Sequence, residues 1–284
     1  MNINKRSFGF GIVFTLAIAT FLFLGTRIAY STSPLLAFGA ATQTPTPPAG
    51  QPIPVKPIAG LSSLTATAKI NANGLINSEK VDGDLNAVIA TNSQGQSKIT
   101  VTGSLLGTIA AQMGGSVVGL FTPSSVDIYK VPTGSYIVIN SLIPVCVKPS
   151  DPAATEALNE FSPQGLMSML TNRDVARGKL IGQETYNSQT LNHYLLNGDA
   201  FLAAAKKSSD PKLKAFGDAL WDAGDADLYV DSKELYPVAF HNNFSGTFAP
   251  LGFEGNFDVS VQLTGVNTNP AITLPASCKN PITP

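Results

Sequence analysis

The sequence predicts an α+β domain built around an antiparallel sheet, and three observations predict it. Short runs of alternating apolar and polar residues recur from about residue 60 onward. Tight-turn residues join neighbouring runs, and strands that follow one another through tight turns pair antiparallel. Between the runs lie stretches whose apolar residues fall at helical spacing. No change of composition divides Gly60 from Cys278, so one domain of about 220 residues is expected, long enough to bury a core.

In chain order, Leu64–Ile70 alternates and reads as the first strand. Leu85–Ala90 and Lys98–Thr102 follow, set off by Asp82-Gly83 and by the Asn92–Gly95 turn. Val126–Val131, a Pro132–Gly134 turn and Ser135–Asn140 form a hairpin. Helices are expected at Ala153–Asn159 and after Ser162-Pro163, the latter with Leu166, Met169 and Leu170 on one face. Lys179–Thr185 and Leu191–Leu196 are strands around Asn187-Ser188. Asp199–Lys207 is a helix carrying Phe201 and Leu202. Asp210–Ala223 is another, with Leu213, Phe216, Leu220 and Trp221 spaced for one face. Asp227–Asp231, Tyr236–His241 and Asn256–Leu263 complete the strands.

Gly103–Phe121 supports two readings. Leu106, Ile109, Met113, Val117 and Leu120 make a helical stripe, yet five glycines oppose a helix at about 1 kcal/mol each. The segment is either a strand–Gly-Gly–strand hairpin in the core or a mobile gate or lipid-touching loop.

The N-terminus is of another character. Lys5 and Arg6 precede an 18-residue uncharged run, Phe8–Gly25, which Arg27 ends. Such a run is a secretory signal or a membrane anchor. Its length favours an anchor, while small-residue sites at Ala29–Ser31 and Ala37–Gly39 would permit cleavage. The basic residues before it place the rest of the chain outside the cytoplasm. Thr42–Pro57 holds six prolines in sixteen residues and is expected to join neither sheet nor helix. At about 3.1 Å per residue it is a tether of about 50 Å. The expected division is therefore 1–30 signal or anchor, 31–59 Pro-rich linker, and 60–284 folded domain.

Composition excludes several classes of function. Charged residues are 13%, net charge is −1, and Ser, Thr, Asn and Gln are about twice as numerous as charged residues. No basic stripe is present to neutralise a phosphate backbone, so nucleic acid is not a partner. With 44% hydrophobic residues the chain is not globally disordered. Two cysteines and two histidines make a four-ligand zinc site improbable, and no metal or cofactor is expected. Outside the cytoplasm Cys146 and Cys278 are expected to pair, with two free buried thiols as the alternative.

Signatures of catalysis are missing. Neither Gly103–Gly107 nor Gly115–Gly119 centres a Ser in a nucleophile elbow, and no phosphate loop or dinucleotide fingerprint occurs. His193 lies in a strand and His241 ends one, neither with a recognisable nucleophile. Asp222, Asp225, Asp227 and Asp231 miss the register of a calcium loop and read as helix-end, turn and strand positions. The chain is not expected to be an enzyme.

The second half, Ser162–Pro275, resembles the LolA/LppX-like family of lipoprotein and lipid carriers, including its LprA, LprF and LprG types. Gly182-Gln-Glu184-Thr-Tyr-Asn187, with Thr190 and His193-Tyr194, is similar to the family's "G-x-E-x-x-x-G, then T-x-x-Y" strand pair. Leu228-Tyr-Val-Asp231, then Leu235-Tyr-Pro-Val238, is similar to its "W-[IV]-D, then L-P" pair, with Tyr229 where Trp is frequent. No Cys follows the apolar run, so the acylated Cys of its lipoproteins is missing here. The resemblance implies a strongly curved antiparallel sheet, an incomplete β-barrel, with helices covering its open side. It implies a cavity for an acyl chain, lipid or acylated protein, here lined by Leu106, Ile109, Met113, Leu166, Met169, Leu170, Phe201, Leu220 and Trp221. The same residues would otherwise close a dry core. The expectation is an extracytoplasmic, membrane-tethered monomer that binds an apolar ligand, or a non-transporting cell-envelope module of the same fold. Secretion or periplasmic release follows if the signal is cleaved.

Overall fold

The computed structural model of the chain describes residues 51–76, 78–112, 123–149, 177–186, 189–209, 214, 217–248 and 253–283. The apolar run Phe8–Gly25 and the helices expected at Ala153–Asn159 and after Ser162 lie outside them. So do Met113, Leu166, Met169, Leu170, Leu213 and Phe216. Among the described residues no helix is long and apolar enough to cross a membrane.

The described chain forms thirteen strands of one antiparallel sheet. They are β1 (Gln51–Pro52), β2 (Leu64–Ile76), β3 (Glu79–Thr91), β4 (Ser97–Thr102), β5 (Ser125–Val131), β6 (Gly134–Asn140), β7 (Val145–Val147), β8 (Arg177–Tyr186), β9 (Gln189–Leu196), β10 (Leu220–Ala223), β11 (Ala226–Asp231), β12 (Pro237–Phe248) and β13 (Phe253–Val266). The order is β1-β8-β9-β11-β12-β13-β2-β3-β4-β5-β6-β7, with β10 beside β12. The two end strands do not meet, so the sheet is not closed. Two helices, α1 (Leu105–Gln112) and α2 (Gly198–Lys207), accompany it.

Alternation along each strand sorts the side chains onto two faces. One face, here called inner, carries Leu64, Ala66, Ala68, Ile70 and Ala72 of β2. It continues through Leu85, Ala87 and Ile89 of β3, and through Phe257, Val261 and Leu263 of β13. All are buried, with Leu64 and Ile89 at 0% exposure. Leu105 and Leu106 of α1, Phe201 and Ala205 of α2, and Leu220 pack on this face in one cluster. Gly246, Gly255 and Gly74 lie opposite one another across β12, β13 and β2. A Cβ on Gly74 would sit 2.2 Å from the Glu254 carbonyl and 2.9 Å from the Phe253 ring, so only hydrogen fits where that ring lies on the sheet.

The outer face has a smaller cluster of its own. After β13 the chain crosses behind the sheet, where Ile272 and Cys278 pack with Tyr129, Tyr136, Val138 and Cys146. Asn269 accepts from the Ser93 backbone N–H and hydroxyl on the way. The expected Cys146–Cys278 disulfide is present, with Cα atoms 5.1 Å apart. Beside it Lys148 N–H donates to the Ile282 carbonyl and Ile282 N–H to the Cys146 carbonyl, each at 2.8 Å.

Several expectations are corrected. Gln51 and Pro52 of the proline tract pair with Gly178 and Arg177, and Ile53 is buried, so part of the tract does join the sheet. Proline is tolerated there because β1 is an edge, with no second neighbour to require its missing N–H. Asp82-Gly83 is not a turn: β3 runs straight through it from Glu79 to Thr91. Gly83 stands in the strand because a Cβ would meet Ser104 Oγ at 2.6 Å and Leu105 Cδ2 at 2.9 Å. Leu105–Gln112 is helical rather than the arm of a hairpin. Ser104 holds its start, donating from N–H and hydroxyl to Asp84. Asn242-Asn243 does not end a strand, and His241 lies within β12. The helix expected at Asp210–Ala223 gives way at Leu220 to β10, which pairs with β12.

Candidate functional site

The expected cavity lining divides into three groups. Leu106, Phe201 and Leu220 come together on the inner face, all buried. Ile109 lies in α1, but its side chain is outside the described set, as are Met113, Leu166, Met169 and Leu170. Trp221 does not join the interior. It is 51% exposed, at the register shift between Leu220 and Asp222 where β10 pairs with β12.

The floor of the interior alternates small and large residues. On β2 and β3 the low pairs Ala68–Ala87 and Ala72–Gly83 lie on either side of the larger Ile70–Leu85 pair. Phe257 and Phe253 stand to one side with centroids 4.3 Å apart. Further along, Phe244 of β12 meets Phe201 of α2 at 5.8 Å. Asn197 caps α2 by accepting from Ala200 N–H at 2.8 Å, and Gly198 N–H donates to Asp225 at 3.0 Å. These two bonds fix where Phe201 enters the interior.

A polar side chain without a partner sits in this apolar setting. Asn242 falls on the inner face of β12 between Phe240 and Phe244 and opposite Val259. It is 0% exposed, and neither its amide nitrogen nor its oxygen has a hydrogen-bond partner. Sequence reasoning missed it because an Asn-Asn pair is a turn signal; its in-strand flanks, Phe240 and Phe244, were the available clue.

The outer face of the same strands carries both histidines. His193 Nε2 lies 2.8 Å from Asp227 and Nδ1 3.0 Å from Glu184. His241 Nε2 lies 3.0 Å from Asp258, with Nδ1 3.7 Å from Asp227. The His193 ring stacks on Tyr229 at 4.5 Å. Burial first, then the negative charges of Glu184 and Asp227, push the Tyr229 phenol above its ordinary value. Of the four crowded aspartates, Asp222 is exposed on β10, while Asp225, Asp227 and Asp231 have separate partners. Among the described residues no group of three or more His, Cys, Asp or Glu is arranged to hold a metal.

No protein-family model matches the chain, and the search of curated proteins gives no match. Solved structures similar to it include the lipoprotein LppX of Mycobacterium tuberculosis. That likeness has 9% identity over 75% of this chain and 91% of that one, with a TM-score of 0.35. LprF of Mycobacterium bovis is similar at 12% identity, 77% and 90% coverage, and a TM-score of 0.35. A LolA superfamily protein of Nitrosomonas europaea is similar at 7% identity, 77% and 90% coverage, and a TM-score of 0.24. No residue's role, ligand or partner is transferred from them to this chain.

Proposed function

We propose that this chain is a non-enzymatic, extracytoplasmic binding protein for a lipid, acyl chain or acylated protein, held at the membrane by its N-terminal segment. The observation that carries the reading is the inner face itself. An unclosed sheet presents a continuous apolar surface on which Ala68, Ala72, Gly83 and Ala87 flank the larger Ile70 and Leu85, and the described cover over it is two short helices and adjoining loops. Small residues among larger ones under two short helices suit a flexible apolar guest, at about 0.8 kcal/mol for each methylene taken from water. The uncharged run Phe8–Gly25 with Lys5 and Arg6 before it supports the tether and the side of the membrane.

The test is native mass spectrometry of the purified protein, followed by solvent extraction and lipid analysis. Co-purifying lipid, and saturable binding of an apolar naphthylamine dye, are the expected results. The full enclosure of Leu64, Ile89 and Val230 favours the second reading, a non-transporting envelope module of the same architecture. That reading takes over if neither lipid nor probe binds. N-terminal sequencing of the mature protein separates an anchor from a cleaved signal.

A further inference from the structure

We propose that Asn242 is the polar contact of the interior site, and that its ligand is a neutral amphiphile carrying a carbonyl beside a hydroxyl or N–H group, such as an acylglycerol or an acyl amide. The proposal rests on the binding reading above and names the ligand class.

Most other buried polar side chains of the described chain are provided for. Thr91 donates to the Leu64 carbonyl, Asn92 to Gln96, and Asp127 and Asp231 accept from several donors. The buried hydroxyls of Ser135 and Ser277 lack a partner, but Asn242 leaves both a donor and an acceptor unmet. At 0% exposure the amide is out of reach of bulk solvent. An unpaired amide in an apolar core costs stability, and a leucine of nearly the same shape would avoid that cost.

The amide's chemistry defines the guest. Its NH₂ donates and its carbonyl accepts, so a complementary ligand offers an acceptor and a donor close together. Along β12 and across to β13 its inner-face neighbours are Phe240, Phe244 and Val259, which offer no cation to hold a carboxylate. A neutral ester or amide junction fits where a free fatty-acid anion does not. The acyl chain would then lie across β13, β2 and β3 beside Val259, Ile70 and Leu85, where Ala68, Ala72 and Ala87 leave the lower ground. Access requires α2 to lift, because Phe201 packs on Phe244 beside the amide.

The experiment is displacement of an apolar naphthylamine dye from the full chain by monopalmitoylglycerol and, separately, by hexadecane. Asn242→Leu is expected to weaken monopalmitoylglycerol about tenfold, to leave hexadecane within a factor of two, and to keep or raise the thermal midpoint. Equal losses for both competitors, or no loss for either, overturn the proposal. A second measurement needs no variant. The side-chain NH₂ signals of Asn242 in isotope-labelled wild type should shift with monopalmitoylglycerol and not with hexadecane; identical responses refute the contact. If wild type binds hexadecane but prefers it to monopalmitoylglycerol, this inference alone falls. If it binds neither, the binding reading falls and takes the inference with it.

Discussion

His193 stands between two carboxylates, 2.8 Å from Asp227 through Nε2 and 3.0 Å from Glu184 through Nδ1. A neutral imidazole donates from one nitrogen only, so both contacts are hydrogen bonds only in the protonated ring. Asp227 also faces His241, which in turn meets Asp258, and Asp258 accepts from Asn71 at 3.4 Å. The result is a lateral strap of alternating acid and base across β8, β9, β11, β12, β13 and β2. It ties neighbouring strands on the face opposite the apolar interior.

Asp227 is the shared member of that strap, so its loss should be felt on both sides. Asp227→Asn is expected to lower unfolding stability by about 1 kcal/mol, a modest figure because the strap is partly solvated. In a double-mutant cycle with His193→Gln the two effects should be less than additive. Urea unfolding of the four proteins measures it. Strict additivity would mean that the contact contributes nothing.

Asp231 gives a pH-dependent prediction. Burial raises its carboxyl pKa, but the Glu234 N–H, the Gln189 side-chain amide and the Lys233 N–H outweigh that and hold it below the ordinary value. A carboxylate depressed in the folded state contributes stability that is fully present above its unfolded pKa of about 4. That contribution is lost as pH falls through the lower folded value. Wild type should therefore lose urea resistance below pH 4 more steeply than Asp231→Asn. At pH 7 the variant should be less stable by about 2 kcal/mol. Parallel curves for the two proteins would remove Asp231 as an acid-sensitive group.

The sheet, its antiparallel sense and the disulfide were legible because each has a local signal: alternation, turn residues, and two cysteines in one domain. What was not legible depends on partners far along the chain. Gln51 and Pro52 become a strand only because β8 lies beside them, and Gly83 becomes a mid-strand residue only because Leu105 packs over it. Leu220 and Trp221 follow a helical stripe in sequence, yet pairing with β12 overrides it and turns Trp221 outward. For the site, Phe201 was legible from its helix face. Asn242 was hidden by a turn signal that tertiary pairing cancels.

The disulfide should be a major stabiliser. It closes a separation of 132 residues, for which chain entropy alone gives about 4–5 kcal/mol. Cys146→Ser with Cys278→Ser is expected to lower the denaturation midpoint markedly and to expose the segment 267–283 to protease. Reduction of wild type should reproduce both effects. Undiminished stability after confirmed reduction would show that the packing of Ile272 and the backbone bonds of Ile282 suffice.

The small floor residues separate the two readings of the interior. Ala68 is 3% exposed and lies between Ala87 and Val261 on the neighbouring strands. A leucine there adds three carbon atoms pointing at the helices. In a core closed by its own side chains those atoms have no place, and overpacking costs about 1–3 kcal/mol. In an interior whose helices yield to a guest, the leucine occupies the guest's volume instead. Ala68→Leu is therefore expected to change unfolding stability by less than about 1 kcal/mol while abolishing binding of an apolar naphthylamine dye. Denaturant unfolding and probe titration on the same preparation decide it. A large loss of stability, with no probe binding by wild type, would identify the interior as a finished core and the chain as a structural module.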